Sequence, residues 1–155
     1  MKDIVDMKES GEIVSFGEQL GFDSIEFGLK GKVVTESDEL KIRNKVDNGT
    51  FDLLLNPHLV SRKDHMHFRR GGMNQVICGI LHRKKIAVGF SLDKLVDPVH
   101  IGRVKQDIKL CRKYKVVVKV FSLAKNKFEM RGADDLLSFL KSLGMTGAEA
   151  KRAME

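Results

Sequence analysis

Asp64, His65 and His67 fall within four residues of one another, a carboxylate and a His-x-His pair. Such a set can ligate Zn²⁺ or another divalent ion in a hydrolase. A complete site would need further carboxylates or imidazoles from other strand ends, and Asp52 and Asp93 are the only nearby candidates on this reading. The same stretch carries Arg62, Lys63, Arg69 and Arg70, and histidines beside arginines more simply bind phosphate or hydrogen-bond within a loop. Gly71-Gly72 follows; it could admit a phosphate at the next helix N-terminus or only supply the turn.

A second set lies between Pro98 and Lys115. At about 100° per residue, Ile101, Val104, Ile108 and Cys111 fall on one side of a helix. Lys105, Lys109, Arg112 and Lys113 spread over a neighbouring side. A row of cations at this spacing can follow phosphates, although a solvated helix face has the same pattern. Walker loop, Gly-x-Ser-x-Gly elbow, Cys-x-x-Cys pair and dinucleotide fingerprint are all missing, so no catalytic or metal-ligating residue is assigned. With no Trp and one Tyr, stacking platforms for unpaired bases are expected to be poor, which favours recognition by backbone and shape.

The elements that must position these residues alternate. Ile13, Phe16 and Leu20 recur at helical spacing and Gly21 stops the run. Ile25, Phe27 and Leu29 alternate as a strand, Lys32 to Thr35 reads as another, and a helix runs from Ser37 to about Val46. Asp52 to Leu55 is the continuous apolar run of a strand covered on both faces, broken by Asn56-Pro57. Then come a helix from Met73 to Lys84, a strand from Ile86 to Phe90, the helix opened by Pro98, a strand from Val116 to Phe121 and a helix from Ala133 to Leu143. Thr146 and Glu149 form a capping-box pattern for a last helix. Repeated βα units imply an α/β fold with a mostly parallel sheet. About six strands predict a single domain over 1–155, a reduced or incomplete TIM-like (β/α) barrel rather than the complete eight-stranded form.

Net charge is +7 and unevenly spread. Residues 1–51 hold 7 Lys/Arg against 11 Asp/Glu, and residues 52–155 hold 21 against 10. Between His58 and Gly132 there are 18 Lys/Arg against 5 Asp/Glu, with all five histidines. This clustering points to a polyanion partner. Two cysteines, Cys78 and Cys111, each sit in an apolar helical pattern, which predicts reduced core thiols. No apolar run approaches the ~20 residues that span a bilayer, and no secretory signal is read at either end, so a soluble, cytoplasmic protein is expected.

These residues also carry a family resemblance. Asn56-Pro57, then Arg62 to Arg69 and Gly72 to Val76, resemble the Asn-Pro…Arg-Lys-Asp loop and Gly-Leu-Asn-His/Gln-Val helix start of the ribonuclease P protein component 3 family, the archaeal and eukaryotic thirty-kilodalton subunit. Ala87 to Ser91, Ile101-Gly102-Arg103 with Lys109 to Val116, Glu129 to Arg131 with Asp134-Asp135-Leu136, and Leu143 to Thr146 with Ala150-Lys151 continue the likeness in the same order over about residues 50–155. The front resembles the family more loosely. It looks shortened by a βα unit, and Asp3 to Asp6 stands where an Asp-x-His-x-His-like opening strand is usual.

The resemblance implies a non-catalytic subunit of an endoribonuclease that removes the 5′ leader of precursor tRNA. The chemistry and the Mg²⁺ then lie on the RNA, and the protein binds no cofactor. Implied partners are ribonuclease P RNA, a second protein subunit of the component 2 type, and precursor tRNA through the holoenzyme, with no membrane. Arg62, Lys63, His65, His67, Arg69, Lys105, Lys109, Arg112, Lys113 and Arg131 are the residues expected to contact RNA or dock the partner. A small-barrel metal-dependent phosphoesterase and a generic RNA-binding module remain the alternatives.

Overall fold

The structure is a computed structural model that describes residues 1–61 and 63–155. Arg62, one of the expected contact residues, lies outside the described residues. In chain order the elements are β1 (Lys2–Val5), α1 (Gly11–Gln19), β2 (Ser24–Phe27), β3 (Val33–Val34), α2 (Glu39–Asn48), β4 (Leu53–Leu55), α3 (Gln75–Lys84), β5 (Ala87–Ser91), α4 (Pro98–Tyr114), β6 (Val118–Phe121), α5 (Ala133–Ser142) and α6 (Gly147–Ala153). All strand pairs are parallel. β1 and β2 make a two-stranded sheet, and β3, β4, β5 and β6 make a four-stranded sheet in sequence order. Among the described residues the ladder does not close into a barrel.

Helix boundaries follow from capping chemistry. Asp38, Asn74 and Asp97 take extended backbone and their side chains accept the first free amides of α2, α3 and α4. Because Asn74 is the cap, α3 starts at Gln75 rather than at Met73. At the other end, Lys85 and Lys115 sit in the left-handed region at φ 57°, and the amides of Ile86 and Val116 return to the carbonyls of Leu81 and Cys111. These Schellman closures use the amides that would have begun the next strands. β5 and β6 therefore start one and two residues later than the apolar runs suggest.

Alternation along the strands sorts two cores. Leu54, Val88 and Val120 face the helices and pack in one cluster with Ile42, Val46, Ile77, Leu81, Val104 and Ile108. Truncating one such residue, Leu54→Ala, would cost about 2–5 kcal/mol. Leu53, Leu55 and Phe121 point to the opposite face and form a smaller cluster with Ile4 of β1. Strands of both sheets thus share this second core. The segment after β6 also reaches β1, since the amide of Leu123 donates to the Ile4 carbonyl at 2.9 Å and the amide of Asp6 to the Ala124 carbonyl at 2.9 Å. Asp3, buried on β1, accepts from the Ser122 amide at 2.7 Å. Burial pushes its carboxyl upward against the hydrogen bonds that Ser122 and Ile4 supply.

Candidate nucleic-acid interface

The loop between β4 and α3 is fastened to one face of α4. Arg103 of α4, only 5% exposed at its side chain, donates through Nε to Asp64 Oδ1 at 2.8 Å. Its Nη1 donates to the carbonyls of His58 at 3.0 Å and Val60 at 2.9 Å. A planar guanidinium suits such a junction because it offers several donors in a fixed fork. One turn on, Gln106 makes a reciprocal pair with the Arg69 backbone, accepting from its amide at 3.2 Å and donating to its carbonyl at 2.7 Å. The Arg70 amide donates to Asp64 Oδ1 at 3.0 Å. Burial would raise the Asp64 pKa, yet the Arg70 amide and Arg103 outweigh it and hold this carboxyl below the usual range.

Close packing beneath the loop explains its glycines. A Cβ on Gly71 would overlap the carboxylate of Asp107, and one on Gly72, at φ +74°, would meet the Pro57 carbonyl. Asp107 is fully buried, and neither carboxylate oxygen is hydrogen-bonded among the described residues; burial pushes its pKa well above the ordinary value, and Arg103 opposes the shift. At the loop's root Asn56, left-handed at φ 52°, exchanges two hydrogen bonds with Ser91 on the neighbouring strand. His58 is buried between Phe90 and His100, each ring 5.6 Å away. Burial, then the charges of His100 and Arg103, hold its pKa down at about 4.

This fastening brings the two sequence clusters together. A groove of about 600 Å³ is lined by Asp64 to Arg69 from the loop and by Gly102, Lys105, Gln106 and Lys109 from α4. Of the expected contact residues, His65, His67, Arg69, Lys105 and Lys109 meet here. Gly102 leaves the room in which the Arg69 guanidinium lies against α4. Lys113 lines an adjoining hollow with Arg69, Arg70, the Gly71–Gln75 turn and Tyr114. Lys63 is exposed in the same loop. Two residues are differently placed. Arg112 turns to α6, where it forms a bidentate pair with Glu149 at 2.7 Å and donates to the Gly144 carbonyl at 2.6 Å. That pair draws the Glu149 pKa down to about 2. Arg131 folds onto its own loop, donating to the carbonyls of Phe128 and Met130.

The metal-type cluster is used differently from a ligand set. Asp64 is committed to Arg103 and to the Arg70 amide, and the His65 ring stacks on Phe68 with its Nε2 against Arg70. Among the described residues no three His, Cys, Asp or Glu side chains converge as a metal site would require. Reading the sequence missed four residues of this interface: Arg103 and Gln106, which fasten the loop, and Met66 and Phe68, which line the groove. An aromatic residue between His67 and Arg69 was the available signal for Phe68. Counting Trp and Tyr gave no sign of the ring pair that His65 and Phe68 form inside the groove. Among the described residues no helix is long and apolar enough to cross a membrane.

No protein-family model matches the chain. It is similar to ribonuclease P protein component 3 of Thermococcus gammatolerans, with 28% identity over 132 residues that make up 81% of this chain and 58% of that protein. The likeness to ribonuclease P protein component 3 of Thermococcus kodakarensis is 27% over 132 residues, 81% of this chain and 57% of that protein. The chain thus spans somewhat over half the length of these curated relatives. A chain in a cryo-EM structure of archaeal ribonuclease P with mature tRNA shares the fold, at TM-score 0.64 and 19% identity, over 99% of this chain and 63% of that one. The resemblance read from the loop, the basic helix and the C-terminal segments is thereby borne out.

Proposed function

We propose that this chain is a component 3-type protein subunit of ribonuclease P, which binds and stabilises the RNA that removes the 5′ leader of precursor tRNA. The observation that carries this reading is the convergence of loop and helix cations in one groove whose single acid among the described residues, Asp64, is already paired with Arg103. Lys105 and Lys109 form no ion pair among the described residues. Their charges remain free to offset phosphate repulsion in a compact RNA and to release its counterions. The likeness to the two archaeal relatives, and to a chain of a ribonuclease P complex with tRNA, supports the same reading.

On this reading the six strands are a reduced (β/α) barrel, supported by the inner cluster that β1 shares with the four-stranded sheet. Lys63, His65, His67, Arg69, Lys105 and Lys109 contact RNA, together with Arg62. A second subunit of the component 2 type docks on the chain, Mg²⁺ is held by the RNA, and the complex works in the cytoplasm.

The test is reconstitution. The chain with its cognate RNA and second subunit should yield correctly matured tRNA at Mg²⁺ levels where the RNA alone is poorly active. Replacing Lys105 and Lys109 should raise the Mg²⁺ requirement while leaving the cleavage position and the high-Mg²⁺ rate in place. A fixed Mg²⁺ requirement with a collapsed maximal rate would place protein side chains in the chemical step and refute the scaffold role.

A further inference from the structure

Phe68 stacks on His65 with ring centroids 4.6 Å apart and planes 26° from parallel. The pair is built into a tight turn, closed by the His65 amide donating to the Phe68 carbonyl at 3.0 Å. The turn is in turn fixed to α4 through Asp64 and Arg69. Phe68 nevertheless stays 54% exposed, and Met66 at the tip of the turn 93%. Both line the groove that Arg69, Lys105 and Lys109 make basic. The Arg70 guanidinium stands over the Phe68 ring, 6.0 Å from its centroid, which adds a cation to the platform.

We propose that this groove holds an unpaired base of its RNA, stacked on the Phe68–His65 pair, while Lys105, Lys109 and Arg69 take the flanking phosphates. Charge decides the occupant. A protein segment would have to bring acids to the rim, whereas an RNA strand carries a phosphate for every base and meets cations and ring at once. Immobilising the rings before binding removes the ordering cost that a mobile side chain would impose. Backbone reading alone would need no exposed ring or thioether between the cations. The inference rests on the RNA-binding reading above and adds to it a recognition element that duplex RNA, with its bases stacked inside, cannot satisfy.

The experiment uses the full chain and two RNAs: a hairpin with 2-aminopurine at an unpaired loop position, and a blunt duplex of equal charge. Phe68→Ala should weaken hairpin binding roughly 5- to 150-fold, the range expected for loss of one stacked base. It should also abolish the fluorescence quench on binding, with the salt slope, duplex affinity and melting temperature unchanged. Phe68→Trp should restore affinity and quench. If Phe68→Ala binds the hairpin as wild type does while Lys105→Ala/Lys109→Ala weakens both RNAs, the stacked base is overturned and the RNA-binding reading stands. If neither variant changes either RNA's affinity or salt dependence, both are overturned. A Phe68→Ala chain that binds both RNAs normally but no longer captures the second protein subunit would show that the platform serves a protein and would refute the proposal.

Discussion

Arg103 is the most informative residue to replace, because one side chain joins the loop to the helix. In Arg103→Met the aliphatic stem is kept and the guanidinium is lost. Asp64 loses its closer ion-pair partner and keeps the longer contact to Arg69 at 3.8 Å, the His58 and Val60 carbonyls lose a donor, and Asp107 loses the Arg103 charge that offsets its burial. Breaking a buried pair from one side costs about 3–5 kcal/mol, and each unsatisfied carbonyl about 1–3 kcal/mol. Asp64 retains 21% exposure and can rehydrate when the loop lifts, so the expected loss settles near the lower figure, about 3 kcal/mol. Arg103→Lys should rescue little, since a compact ammonium cannot reach three acceptors in fork geometry. The sign with pH is fixed by Asp64. Its folded-state pKa is lowered, so the contribution is full above the unfolded carboxylate pKa and disappears as pH falls through the folded one. The difference between wild type and variant should therefore shrink on acidification. Denaturant melts give the stability, and hydrogen exchange at the Arg69 and Arg70 amides, bonded to Gln106 and Asp64, reports local release of the loop. A variant that melts with wild type and keeps those two amides equally protected refutes the account.

Lys105→Ala/Lys109→Ala should flatten the dependence of log affinity on log salt by up to about 2, from roughly 0.7–0.9 per phosphate contact, as read by RNA titrations between low and moderate salt. Arg112→Ala should leave that slope unchanged and instead lower the melting temperature, because its guanidinium fastens α6 through Glu149 and the Gly144 carbonyl. His58 should make folding pH-dependent: with a folded pKa of about 4 against 6.5 unfolded, stability declines as pH falls from 6.5 to 4, by roughly 3 kcal/mol in total. In His58→Phe urea melts that part of the decline should vanish. Gly72→Ala should cost about 1–3 kcal/mol through its left-handed backbone, and more once the Pro57 carbonyl is displaced, as thermal melts would register.

The elements were legible where local chemistry sets them. Pro98 at a helix start and the Thr146–Glu149 box each carry their signal within four residues, and α4 runs over the span that its pattern predicts. What stayed hidden depends on partners distant in sequence. Arg103 and Asp107 look like members of a polar helix face, since apolar periodicity gives no sign that a loop residue 39 positions earlier covers one of them. Arg112 reads as a surface cation until Glu149, 37 residues on, is seen to hold it. Composition argued against stacking because it counts Trp and Tyr, whereas a single turn suffices to align His65 with Phe68.

The seam between β1 and the stretch after β6 has a consequence for the order in which the chain takes shape. Each neighbour in the four-stranded sheet lies one crossover away, so those strands can join as they emerge from the ribosome, each closing a short loop. β1 pairs early with β2, but its bond to the Ser122 amide closes 119 residues, and the Lys2 amide waits for the Met154 carbonyl. β1 is therefore fully seated only after the segments around Ser122 and Met154 are in place. Until then its Asp3 remains hydrated and ionisable, and Ile4 lacks the inner cluster that finally covers it.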